Sequence, residues 1–380
     1  MDDADKTTRM DGLTLSRRLR RTPFTERVEA HGVRGFSVVN HMLLPKLFAH
    51  SVEDDYWHLR EFVQLWDVSC QRQVEIRGAD AAKLVQWMTP RDISRARVGD
   101  CLYAPLVDSS GGIVNDPIVL KLGDDHFWLS IADSDVLLWA QGLALGAAMD
   151  ARIEEPDVSP LAVQGPRAEA VMAAVFGDGV RALRFFRFAR FDFMGGAQVI
   201  ARSGYSSQDG FEIYLAGGDL GAPLWDALWR AGEPFNIRPG CPNLIDRIEC
   251  GLLSYGNEMT RATNPLECNL DAFCDLDRAV DCLGTDALRT IAARGVTRRI
   301  GAVRFDGAPC PPCAAPWPIT LADDEATLGE ATSAIFSPRL RTNIALAMLD
   351  RRCWAIGQRV LVHSADGETR HGEVAELPFA

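Results

Sequence analysis

The run Ile200-Ala201-Arg202-Ser203-Gly204-Tyr205-Ser206-Ser207-Gln208-Asp209-Gly210-Phe211-Glu212-Ile213-Tyr214-Leu215 is the stretch from which the rest of the chain can be read. Its last five residues alternate, so Phe211, Ile213 and Leu215 take one face of a strand and Glu212 and Tyr214 the other. Ser206 to Gly210 is turn chemistry, with Gly210 free to take a positive φ. The pattern predicts a hairpin that carries a carboxylate and a phenol side by side, roughly 6–7 Å apart along the strand. On these residues alone, a solvent-facing edge with a harmless Glu is the simpler reading.

Resemblance changes the weighting. Tyr205 to Ile213 resembles a signature of the glycine-cleavage T-protein family, the tetrahydrofolate-dependent aminomethyltransferases. That likeness implies that Glu212 binds the pterin ring. The chemistry suits it, because the aminopyrimidinone edge presents adjacent N–H donors that one carboxylate accepts together. Leu65–Ser69, Gly111–Asp116, Leu161–Pro166, Arg238–Gly256, Ala331–Leu349 and Glu373–Phe379 also resemble family segments, in the family's order. The implied fold is α+β, a T-protein-like three-subdomain cloverleaf ring around a central folate site with a C-terminal β-barrel. Residues 1–290 would form the folate-binding region, as two interleaved α+β subdomains, and 291–380 the barrel.

Composition sets outer bounds. The 380 residues suffice for two or three subdomains, and a net charge of −12 makes nucleic acid or an anionic membrane a poor partner. Ten Cys without a repeating spacing read as free thiols of a reducing compartment. The one tight pair, Cys310 and Cys313, sits in a Pro-rich stretch that reads as a loop, so no metal is expected. Met1 to Gly12 lacks the apolar core of a signal peptide, and residues 1–15 read as a frayed tail. With no run of roughly 18 apolar residues, a cytoplasmic location is expected.

Along the chain, Asp54–Leu65 reads as a helix, and Asp80 as the cap of another through Met88. Leu102–Val107, Ile113–Leu120 and His126–Ile131 read as an antiparallel meander, followed by a helix capped by Asp133 or Ser134. A further helix is expected over Leu220–Arg230.

Within Gly111–Asp116, Asn115 stands where the resemblance places an Asp close to the reacting folate nitrogen. Strand alternation would turn its neighbour Asp116 to the opposite face. An amide keeps hydrogen bonding but gives up general-base work; the alternative is an Asn that only ties down the turn. Arg247 matches a family Arg, with a buried salt bridge to Glu249 or Asp246 as the alternative. The segments Thr22–Phe24, Asn40–Pro45, Asp55–Leu59, Val114–Pro117, Ser130–Asp135 and Gly240–Ile245 resemble a branch of the family that demethylates a sulfonium. Methyl transfer from a small sulfonium to tetrahydrofolate is therefore the implied reaction. A sulfonium carries no N–H to deprotonate, so in-line alignment is the main requirement.

Aromatic faces suit such a cation. Trp66, Tyr103, Tyr205 and Tyr214 are the candidates, with plain core packing as the alternative. The implied site has Asn115, Tyr205 and Tyr214 at the reaction centre. Glu212, Tyr103, Asn115, Ser130 and Arg247 would hold the folate. Trp66, Tyr205, Tyr214 and Arg20 would hold the donor, with Arg20 (from the Arg17–Arg21 run) taking its carboxylate. Alternatives are a methylated-amine donor, or a folate-binding accessory protein of the iron–sulfur-maturation type. The last lacks its motif, since Asp281-Cys282-Leu283-Gly284 has none of the flanking residues. A homodimer is left open.

Overall fold

The structure, a computed structural model, describes residues 16–321 and 324–379; the tail over 1–15 lies outside the described residues. Three lobes, each with its own core, make up the molecule. The first is a six-stranded sheet in the order Phe188–Phe193, Gly196–Ala201, Gly210–Ala216, Val158–Gln164, Val63–Asp67, Ile237–Gly240, with only the last pair parallel. Phe211, Ile213 and Leu215 line one face, under the helices Ala168–Phe176 and Gly221–Gly232. The alternation in the quoted stretch therefore holds, but the strand is central rather than an edge. Gly210 does not take a positive φ. It and Gly204 are glycine because Gln164 packs onto them: a Cβ would lie 2.4 Å and 2.2 Å from its amide nitrogen.

The second lobe is a five-stranded sheet, Arg152–Glu154, Gln73–Arg77, His126–Ser130, Ile118–Gly123 and Cys101–Tyr103, backed by the helices Ala81–Met88 and Val136–Gly146. The two sheets meet through Cys101, Leu120, Trp128, Val199, Ala201 and Tyr214. Both lobes place their helices outside and turn a sheet face inward, so polar residues on that inner face are enclosed by protein rather than water.

The third lobe is a closed six-stranded barrel running from Arg298 to Ala375. It docks through Ile300 and Met348 onto Ile113 and Met259, and through Ile344 and Leu346 onto Ile248. The helix Thr285–Arg294, which spans residue 290, packs Leu288 against Val107.

Several local expectations are corrected. The helix expected over Asp54–Leu65 is Val52–Glu61, opened by a Ser51–Asp54 capping box, and Leu65 is already strand. Asp80 makes no cap bond to its helix; its carboxylate accepts from Asp150 N instead. Neither Asp133 nor Ser134 caps Val136–Gly146: Asp133 accepts from Asn40 N, and Ser134 Oγ donates to Val114 O. The expected strand Ile113–Leu120 is broken. Ile113–Asn115 pairs in a separate ribbon with Leu106–Val107, Ile118–Gly123 belongs to the five-stranded sheet, and Asp116-Pro117 is the joint. Proline explains the break, because it offers no N–H to a ladder. Among the described residues, no helix is long and apolar enough to cross a membrane.

Candidate active site

Glu212 sits in a row that crosses the six-stranded sheet on its inner face. Register aligns Ala201, Glu212, Ala162, Trp66 and Gly240 as successive partners, and directly opposed residues share a face. Two alanines flank the carboxylate, Ala201 packed in the seam between the sheets and Ala162 packed with Trp66. Only 5% of Glu212 is exposed, and Ser203 Oγ donates to its Oε2 at 2.5 Å. Burial raises its pKa, with the Ser203 bond opposing.

Tyr214, two residues on, is fully buried, and its hydroxyl lies beside Glu212 and Ser130 without a well-formed hydrogen bond to either. Burial first, and then the Glu212 charge, hold its pKa well above the ordinary phenol value. Facing it from the five-stranded sheet are Ser130 and Gln73, which are register partners. Gln73 Nε2 donates to Ser130 Oγ at 2.9 Å and to Gln71 O at 2.7 Å, while Gln73 Oε1 is buried without a partner. A phenol and an amide oxygen left unpaired beside a carboxylate call for a ligand, because buried polar atoms are almost always matched. A planar heterocycle edged with N–H donors fits this set.

At the other end lies the joint. Asn115 is fully committed. Its Nδ2 donates to Ala132 O at 3.1 Å and Ser134 Oγ at 2.7 Å, and its Oδ1 accepts from the N–H of Asp116 and of Ala132, each at 3.0 Å. All four hydrogen-bonding positions are used within the protein, which is the arrangement of an amide that ties down the turn. The chain break also releases Asp116 from strand alternation.

Asp116 Oδ2 accepts from Tyr103 Oη at 3.1 Å, while Oδ1 is buried with no partner. Its pKa is pushed up to about 7, first by burial and further by Glu258, with the Tyr103 bond opposing. Tyr103 stacks edge-on to Phe273 at 4.9 Å. Tyr205 joins this end, half-buried, with its hydroxyl given to Leu253 O at 2.6 Å so that the ring rather than the hydroxyl remains available.

The other expected residues fare differently. Trp66 is 1% exposed, packed with Leu59, Val68 and Ala162, and its N–H goes to Gln64 Oε1 at 2.8 Å. It is core, not cage. Arg247 does form a buried salt bridge, but to Glu258 at 2.8 Å, with further bonds to Leu252 O and to Ser333 Oγ of the barrel. Glu249 instead binds Tyr56, Ser337 and Arg339, and Asp246 binds Ser207. Arg247 thus clamps the barrel to the rest of the chain. A cavity of about 330 Å³ is lined by Lys46, Asp55, Cys241, Cys313 and Ser333 together with Arg247 itself. Arg20 pairs with Glu155 at 2.9 Å, a carboxylate already held by Arg72, and its Nη2 has no partner. Cys310 and Cys313 pack against the barrel core, and burial raises both thiols to about 11.

Two family models match nearly the whole chain: the GCVT N-terminal domain over residues 24–278, and the glycine cleavage T-protein C-terminal barrel domain over residues 298–380. The chain belongs to the glycine cleavage T-protein family. Among its relatives, the dimethylsulfoniopropionate demethylase of Ruegeria pomeroyi is 51% identical over 358 residues, 94% of this chain and 97% of that protein. An aminomethyltransferase of Symbiobacterium thermophilum is 31% identical over 87% of this chain and 89% of its own length. In fold, the crystal structure of the glycine cleavage system aminomethyltransferase T from Bartonella henselae superposes with a TM-score of 0.84 at 23% identity, covering 95% of this chain and 98% of that one. The expected T-protein-like α+β fold with a C-terminal barrel is the fold observed.

Sequence reasoning did not place Gln73 and Ser203 beside Glu212 and Tyr214, and strand alternation turned Asp116 away. Gln73 left a signal: in Gln73-Val74-Glu75-Ile76 the polar pair shares a face, yet both are buried. Ser203 left none, because its role depends on the loop folding back over Glu212.

Proposed function

We propose that this protein demethylates dimethylsulfoniopropionate, passing the methyl group to tetrahydrofolate and releasing methylthiopropionate. The observation that carries the reading is the 51% identity, over almost the full length of both chains, to a demethylase of that sulfonium. The donor set agrees with it. Glu212 takes the N–H edge of the pterin, with Tyr214, Ser130 and Gln73 completing the polar rim. Tyr103 and Tyr205 wall the far end with aromatic surface suited to a cation. Tetrahydrofolate supplies the nucleophilic nitrogen. The protein supplies alignment, exclusion of water and a charge environment, and alignment alone can lower such a barrier greatly.

Tyr103 and Tyr205 act through their rings, since both hydroxyls are occupied. Asn115 acts through shape, holding the Ala132–Ser134 segment against the joint. The ten free cysteines agree with a reducing compartment, and we take that compartment to be the cytoplasm.

The test is direct. The purified protein with tetrahydrofolate is offered dimethylsulfoniopropionate in parallel with methylated amines such as dimethylglycine, and both products are followed by mass spectrometry. Methylthiopropionate and 5-methyltetrahydrofolate in equal amounts are expected. Turnover of the amines alone would overturn the reading in favour of an aminomethyltransferase-like donor.

A further inference from the structure

Methyl transfer from a sulfonium to a secondary amine leaves a proton to be placed. The N–C bond forms from the nitrogen lone pair, and the C–S bond breaks with its electrons staying on sulfur. The sulfonium becomes a neutral thioether, and the amine stays neutral only by losing its N–H proton. One positive charge therefore vanishes at sulfur as one proton is released.

Resting on the methyl-transfer reading, we propose that Asp116 is both the counter-ion of the donor cation and, at Oδ1, the acceptor of the released proton. Geometry carries this. Oδ2 is occupied by the Tyr103 hydroxyl, and Oδ1 is buried and unpaired. Tyr103, Met259 and Phe273 form one packed cluster with Tyr255 and Leu253, and Leu253 O takes the Tyr205 hydroxyl. Glu258, which adds to the rise at Asp116, is itself salt-bridged to Arg247. Among the described residues no Lys or Arg bonds to Asp116. A lone carboxylate in an aromatic and thioether recess suits a cation that has no hydrogen-bond donors.

The charge order then follows. With the cation present, the carboxylate is held ionised; once the cation is discharged, its proton affinity returns to the high value that burial gives it. Asn115 cannot share the task, since its one acceptor oxygen already takes two N–H groups.

The test uses the full chain and the sulfonium without folate. In the ligand-free protein, the infrared band of a protonated carboxyl that Asp116→Asn removes should titrate near the pKa of about 7 and vanish when dimethylsulfoniopropionate is added. Calorimetry at pH 7 in two buffers of different ionisation heat should show about half a proton released per sulfonium bound, and none with Asp116→Asn. With both substrates, Asp116→Asn should lower kcat by ~10²-fold or more, with folate affinity kept. Binding without proton release, or an Asp116→Asn variant with normal kcat, would overturn the proposal and leave the methyl-transfer reading standing. A wild-type protein that never forms methylthiopropionate would overturn both.

Discussion

Glu212 and Asp116 are both carboxylates in enclosed surroundings, at opposite ends of one site, and they are built into the chain in opposite ways. Glu212 lies mid-strand in the centre of a sheet, where register with Ala201 and Ala162 fixes its direction and Ser203 holds one oxygen. Asp116 lies at a joint where one strand ends and the next joins another sheet, held by one phenol and otherwise unpaired. The first arrangement is rigid and suited to recognition of a ring edge. The second is a high-energy carboxylate that a cation or a proton can settle. On the proposed reading, regular secondary structure builds the binding end, and an interruption of it builds the reactive end.

The largest effect that could break this contrast is at the rigid end. Glu212→Ala should cost folate binding two charge-assisted hydrogen bonds, of order 1.5–3 kcal/mol each, or a ~10²–10⁴-fold rise in Kd by fluorescence titration. Circular dichroism should stay unchanged, and an unaltered Kd would remove Glu212 from the site. Next comes Asn115→Asp. A carboxylate there would face Ala132 O in place of a donor, so stability should fall by about 2–4 kcal/mol in urea unfolding. No gain in amine turnover is expected, and a stable variant that turns over amines would return catalysis to position 115.

The pH dependence sharpens the reactive end. Asp116 has its folded pKa raised above the unfolded value, so the folded state holds this proton over a range where the unfolded state has lost it. Stability from this group is therefore fully present below about pH 4 and is lost as pH rises through about 7, with a limiting slope of ~1.4 kcal/mol per unit. Asp67, raised by burial to about 6, contributes with the same sign. The readout is thus the difference between wild type and Asp116→Asn in denaturant midpoints from pH 5 to 7. A constant difference would mean that the carboxyl titrates normally. The smallest effect is a change of opposite signs in two measurements. Tyr214→Phe removes an unpaired buried hydroxyl, so the ligand-free protein should gain about 1 kcal/mol, seen as a higher Tm, while folate affinity falls. A lower Tm would mean that the hydroxyl has a partner within the protein.

What could be read from residues alone follows the same division. The alternation of Phe211 to Leu215 correctly separated the helix-covered face from the face that carries Glu212 and Tyr214, because a strand has a fixed period of two. The same rule misled at Asn115–Asp116, since alternation presumes an unbroken strand and Pro117 ends it. Trp66 and Arg247 share a different reason. An aromatic side chain or a guanidinium looks the same in sequence whether it meets a ligand or its own protein, and here Gln64 and Glu258 claimed them first.

By itself the sequence determined the periodicities, the turn and loop chemistry, and the ordered series of segments from which the family and its fold could be recognised, because those are properties of neighbouring residues. Only the tertiary structure decided which polar groups are left unpaired: Tyr214 Oη, Gln73 Oε1 and Asp116 Oδ1. Their partners, or the lack of them, come from strands and lobes that are far apart along the chain and meet only when three separate cores pack against one another.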